Sequence, residues 1–201
     1  VGEALIFKPI NVSESLMTEG PWALYVGRFQ PFHRGHVHAV RYILDIENGV
    51  VIAIGSCMNS HELRNPFTFG ERLRMIIGAL DDLGISRRRW YAVGVPDVEF
   101  HPAWVQLVKA LSLPFYRVYS NDPLTKVLFE ETDYEVRNIP FLKKEQYSGT
   151  EIRRRMLANE DWSDLVPEAT IKVIREIDGE ARVRKLCVNA NGTCSKTTEK
   201  H

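Results

Sequence analysis

The chain has 201 residues, 44% of them apolar, with Lys+Arg and Asp+Glu balanced at 26 each, so it can hold one α/β domain with a real core and carries no globally cationic nucleic-acid surface. Cys57, Cys187 and Cys194 are odd in number and stand at no metal-ligand spacing, which argues against a zinc site and for a reducing compartment. No apolar run approaches the ~20 residues of a membrane span, and "VGEALIFKPINVSESLM" lacks the basic start and long apolar centre of a signal peptide, so a cytoplasmic chain is expected.

Residues 1–21 show little periodicity and read as an extension; the domain is expected over 22–186 and a polar, loose tail over 187–201. "WALYVG" predicts a first strand over 22–27, and a helix follows from about Gly35, where Val37, Val40, Ile43 and Leu44 recur at helical spacing. "GVVIAIGS" is a near-continuous apolar run, as in a strand buried on both faces. "TFGERLRMIIGALDDLG" opens with Thr68 and Glu71 at capping-box spacing and closes on Gly84. The Arg87–Arg89 run reads as loop charge before a third strand, "RWYAVGV". "HPAWVQLVKALS" is a helix with Pro102 near its start, "FYRVYS" a fourth strand, and "NDPLTKVLFEE" a helix capped by Asp122. "YEVRNIP" is a fifth strand; "SGTEIRRRML" repeats the capping spacing with Ser148 and Glu151, and "VPEATIKVIREIDG" is the last predicted helix. This alternation predicts a Rossmann-like parallel sheet of about five strands with helices on both faces, with ligands at the carboxyl ends of the strands.

The segment "GRFQPFHRGH" sits at such an end. Gly27 and Gly35 let the backbone turn or approach closely, and Pro31 stiffens the loop. His33 and His36 straddle a helix start, where free N–H groups favour an anion, and Arg28 adds a fixed charge with bidentate geometry. The sum is a phosphate cradle. It carries no Gly-Lys-Ser/Thr and no Gly-x-Gly-x-x-Gly, so it is neither a Walker loop nor the dinucleotide fingerprint. Arg64 stands in a loop after the second strand, from which it can reach a substrate phosphate across the strand ends. In the Arg153–Arg155 run, Arg155 reads as solvated helix face.

"His33-Arg34-Gly35-His36" resembles the His-x-Gly-His signature of the nucleotidyltransferase superfamily, and "Ser148-Gly149-Thr150-Glu151-Ile152-Arg153" resembles its second motif near the chain end. Over about 22–186 the chain resembles the archaeal-type nicotinamide-nucleotide adenylyltransferases, on the stretches "VGRFQPFHRGH", "IGSCMNSHELRNPFTFGER", "RVYSNDPL" and "YSGTEIRRRML". The resemblance implies transfer of the adenylyl group of ATP to nicotinamide mononucleotide. It implies His36 and His33 on the reacting phosphates and Arg153 on the β/γ-phosphates. Gly27, Arg28, Phe29, Gly35, Asn121, Ser148, Gly149 and Thr150 would complete the ATP side. Trp104 would stack on the cationic nicotinamide ring, with Asp97 and Arg64 in the same acceptor pocket; the alternative for Trp104 is a core anchor. Mg2+ is implied with ATP, held mainly by phosphates and water rather than by a protein cage. The resemblance further implies a homo-oligomer, a hexamer being one possible form, with neither nucleic acid nor membrane as partner. One position departs: the archaeal-type pattern has an amide side chain near the place of His101, which bears on the carboxamide of the acceptor and leaves the ATP half untouched. The alternatives are a related transferase with another phosphorylated acceptor and a catalytically silent nucleotide-binding regulator.

Overall fold

The alternation of side chains along the first strand decides the layering. In β1 (Trp22–Gly27), Ala23 and Tyr25 enter one apolar cluster while Trp22 and Leu24 enter a second on the opposite face. The same split recurs in β2 (Gly49–Ile54), where Val50, Ile52 and Ile54 face one way and Val51 and Ala53 the other. A strand buried on both faces needs a helical layer on each. The computed structural model describes residues 22–140 and 147–191, and it has that arrangement.

One face is covered by α1 (Arg34–Ile46), α2 (Phe69–Asp82), α5 (Gly149–Ala158), α6 (Glu168–Glu176) and α7 (Gly179–Asn191). The other face is covered by α3 (His101–Leu111) and α4 (Pro123–Glu130). With β3 (Trp90–Gly94), β4 (Arg117–Tyr119) and β5 (Glu135–Arg137), the strands form one parallel sheet in the order β3-β2-β1-β4-β5. The order reverses direction between β1 and β4, and the crevice at their carboxyl ends is where such sheets bind ligands. Among the described residues, no helix is long and apolar enough to cross a membrane.

The predicted Thr68–Glu71 capping box forms, whereas the Ser148–Glu151 spacing gives only the Ser148 cap, because the Glu151 carboxylate turns to Arg154 and Arg155. Thr68 accepts from the Glu71 amide while Glu71 accepts from the Thr68 amide, Asp122 accepts from Thr125, and Ser148 accepts from Glu151. Three further expectations need correction. The strands predicted over 115–120 and 134–140 are three residues each, because their flanks serve as loop and cap. The tail does not begin loosely at Cys187: α7 runs through it, with Val183 and Cys187 buried one turn apart. Nor is the Arg87–Arg89 run simple loop charge. It forms a 3-10 turn in which Arg89 donates to the carbonyls of Leu44, Glu47 and Asn48, closing the end of α1. The extension 1–21, the chain beyond 191 and Cys194 lie outside the described residues.

Candidate active site

At the end of β1 the chain turns sharply. Phe29 adopts a left-handed φ of 54° and is almost wholly buried, and the Gln30–Pro31 peptide is cis. A left-handed non-glycine residue costs about 1–3 kcal/mol and persists where its surroundings hold it. Gln30 supplies one hold: its side-chain amide donates to the Phe67 carbonyl and accepts from the Phe67 amide, as a paired strand residue would. Its own carbonyl accepts from Arg153 at 2.6 Å, and a Cβ on Gly149 would stand 2.7 Å from that oxygen. Only glycine lets the start of α5 approach so closely, so the Gly27–His36 segment and the Ser148–Arg153 motif meet although 112 to 126 positions separate their members.

His33 caps α1 and His36 lies in its first turn. Their rings stack with centroids 3.5 Å apart, and Phe29 meets His36 edge-on at 4.7 Å. Burial, reinforced by the nearby Arg153 charge, pushes the His33 pKa down to about 3. Burial and the His33 ring hold His36 well below the usual histidine range. Both rings are therefore neutral near pH 7. The His33 amide donates to His36 Nδ1 at 3.2 Å, which leaves the proton of the neutral His36 ring on Nε2, ready to donate. His33 Nδ1 is buried with no partner among the described residues.

These groups line a cleft of about 500 Å³ at the switch in strand order. Gly27, Arg28, Phe29, His33, His36, Arg64, Asp97, Trp104, Gly149, Thr150 and Arg153 all border it. Among the described residues no carboxylate pairs with Arg28, Arg64 or Arg153. Burial, together with the charges of Arg28 and Arg64, lowers the Arg153 pKa to about 10, which leaves Arg153 charged at neutral pH. Such an uncompensated cluster is arranged for an anion. At the other end Asp97 accepts from Ser56 at 3.1 Å and from Asn59 at 3.1 Å, beside Trp104 and His101. Trp104 is half-buried. It packs edge-on against Phe129 at 6.1 Å and also borders the cleft, so it is core anchor and wall at once.

Three predicted residues stand behind the lining. Gly35 lies against the His33 ring, the Ser148 hydroxyl is used as the α5 cap, and both ends of the Asn121 amide are engaged by the Ile139 backbone. Arg154 and Arg155 both pair with Glu151, the first also with Glu160 and the second with Asp164, on the solvated face of α5. Sequence reasoning missed Ser56, Gln30 and Arg72. Ser56 and Gln30 act through loop-to-loop bonds that no local pattern announces. Arg72 follows the capped start of α2 at a position where an apolar residue would be expected.

The chain matches the model of the Cytidylyltransferase-like family over residues 24–155. A nicotinamide-nucleotide adenylyltransferase from Methanococcus aeolicus is 47% identical over 164 residues, covering 82% of this chain and 94% of that one. Another from Pyrococcus furiosus is 45% identical, covering 83% and 89%. Among solved structures, a bifunctional NMN adenylyltransferase/ADP ribose pyrophosphatase from Francisella tularensis, complexed with AMP and a manganese ion, matches 86% of this chain with a TM-score of 0.68. At 21% identity that likeness speaks for the fold, and the chain spans 53% of that protein's length. With the fold, the cleft and these relatives in agreement, the chain belongs to the nicotinamide-nucleotide adenylyltransferase family.

Proposed function

We infer that this protein transfers the adenylyl group of ATP to nicotinamide mononucleotide, forming NAD and pyrophosphate. One observation carries the reading: the His33–His36 and Ser148–Arg153 segments converge on one cleft whose three arginines have no carboxylate partners among the described residues. An oxygen of the acceptor's 5′-phosphate attacks the α-phosphorus of ATP, the new phosphorus–oxygen bond forms, and the bond to the bridging α–β oxygen breaks. The attacking oxygen is already anionic, so no protein base has to remove a proton. The task of the protein is to align two polyanions and to offset charge gathering on the transferred group. Neutral His36 donates from Nε2 toward that group, while Arg153, Arg28 and the Thr150 hydroxyl hold the phosphate chain. At the acceptor end the Trp104 face and the Asp97 carboxylate suit a flat cation.

A divalent cation belongs to this reading as the companion of ATP. The donor set fits that role: the lining carboxylates, Asp97 and Asp122, are both already hydrogen-bonded, and no three-residue metal cluster occurs among the described residues. When bound, the cation supplies charge neutralisation at the leaving pyrophosphate. A cytoplasmic homo-oligomer also belongs to the reading. Its oligomeric part is supported by exposed Val127 on α4 and is checked by sedimentation velocity.

The direct test is an acceptor panel. Purified protein with ATP, a divalent cation and nicotinamide mononucleotide is expected to form NAD and stoichiometric pyrophosphate. Turnover with another phosphorylated acceptor but not this one would move the assignment to a related transferase, and nucleotide binding without pyrophosphate release would make the protein a regulator.

A further inference from the structure

The largest side chain with no exposed surface is a charged one. Arg72, in α2, is 0% exposed, and among the described residues no carboxylate bonds it. Its guanidinium donates instead to four backbone carbonyls: Nε to Thr68 at 3.3 Å, Nη1 to Arg28 at 2.9 Å and Gly55 at 2.8 Å, and Nη2 to Ser56 at 3.0 Å. Burial lowers its pKa to about 10, which still leaves it charged at neutral pH. A buried charge answered only by carbonyls is an expensive way to fill a core. Its position, behind the carboxyl ends of β1 and β2, gives it another use.

The carbonyls of Arg28 and Gly55 belong to the peptide units that precede Phe29 and Ser56. Turning such a unit changes ψ of the residue before it and φ of the residue that follows. Phe29 has φ 54° and Ser56 has φ 48°, both in the left-handed region that side-chain-bearing residues rarely adopt. One nitrogen, Arg72 Nη1, therefore holds the two peptide planes whose orientation makes both turns. Each turn serves one end of the cleft. Phe29 lays its edge on His36 at 4.7 Å, and Ser56 donates to Asp97 at 3.1 Å. The planar fork of arginine can reach diverging carbonyls at once, whereas an ammonium group is a compact point.

We propose that Arg72 is a positioning residue for adenylyl transfer: from behind the cleft it locks the two left-handed turns that set His36 at the phosphate end and Asp97 at the acceptor end. The proposal rests on the adenylyl-transfer reading and adds to it a residue that touches neither substrate. The variants are Arg72→Lys, which keeps the charge and loses the fork, and Arg72→Met, which loses both. For the folded Lys variant at saturating substrates, kcat is expected to fall about 10–100-fold, with both KM values within about threefold of wild type. That loss should persist well below the unfolding midpoint of the variant. A wild-type kcat in Arg72→Lys, or a loss that vanishes on cooling, overturns the proposal.

If neither variant folds, the wild-type protein decides. The Nε and Nη resonances of Arg72 are expected to shift when ATP and nicotinamide mononucleotide are bound, and resonances that stay in place overturn the proposal. A wild-type protein that forms no NAD refutes the adenylyl-transfer reading instead. The resonance arm, read on ATP binding alone, still decides whether Arg72 is coupled to the cleft.

Discussion

His36 shows how much a single side chain is fixed by its neighbours. Its Nδ1 is taken by a backbone amide, its ring lies against His33 and Phe29, and it is held neutral. On the proposed reading its use is to donate from Nε2. Replacing it with alanine is expected to lower kcat by about 10²–10³ while circular dichroism stays that of the wild type, since loss of one well-aimed donor costs that much; a near-normal rate would refute the role. Trp104 makes a different expectation. Trp104→Ala should raise KM for nicotinamide mononucleotide more than KM for ATP, in initial-rate measurements with each substrate varied in turn. Equal effects would mean that the ring matters through its packing on Phe129 alone. Most of the cleft was legible in the chain because a strand-to-helix junction tells where backbone N–H groups are free, and His33, His36, Gly149 and Arg153 all lie at such junctions. Gln30, Ser56 and Arg72 were not legible, since Gln30 and Arg72 bond backbone atoms of segments far along the chain and Ser56 bonds the distant Asp97 carboxylate, across turns whose left-handed geometry polar residues do not announce.

Among the elements, α2 and α7 matter together. The Thr68–Glu71 cap starts α2, and Arg182 of α7 closes on the same Glu71 at 2.7 Å while also donating to the Pro66 carbonyl. That pair braces the foot of the loop carrying Arg64. Thr68→Ala removes one half of the box and is expected to cost about 1 kcal/mol in chemical denaturation. The helical periods of α1 and α2 could be read directly, because each has a broad apolar face. In α7, Gly179, Val183 and Cys187 are the buried positions among the described residues, a stripe only one residue wide, and polar contacts add to it: Arg182 pairs with Glu71 of α2, and Arg184 donates to the Met156 carbonyl and to Asn159 at the end of α5. The shortness of β4 and β5 escaped sequence reading for a related reason: apolar residues beside a strand can pack without joining its ladder, as Phe115 does against Tyr134.

The molecule as a whole separates its chemistry from its anchorage. The cleft lies at the carboxyl ends of the strands, while near the start of β4 buried Glu47, at the end of α1, pairs with partly buried Arg117. Glu47 accepts from Tyr116, from Tyr119 at 2.7 Å and from Arg117 at 2.6 Å, tying α1 to β4. Burial by itself raises the Glu47 pKa, but the hydrogen bonds from both tyrosines and the arginine outweigh it, and the net shift is downward. A carboxyl whose folded pKa lies below its unfolded value adds stability above the unfolded value, and that stability drains away as pH falls through the folded one. Glu47→Gln should thus cost about 3 kcal/mol at pH 7, in line with breaking a buried pair. The gap to wild type in urea denaturation should narrow toward pH 3, and a gap independent of pH would show that the carboxylate charge is not what stabilises.

The stacked neutral histidines also determine what the reaction owes to the solvent. On the adenylyl-transfer reading, neutral His33 and His36 hydrogen-bond without giving up or taking a proton, so no hydrogen nucleus is in flight when the phosphorus changes partners. Turnover in heavy water, at matched ionisation of the acceptor phosphate and with chemistry limiting, should run at nearly the rate in light water, whereas a general base would leave a clear solvent isotope effect.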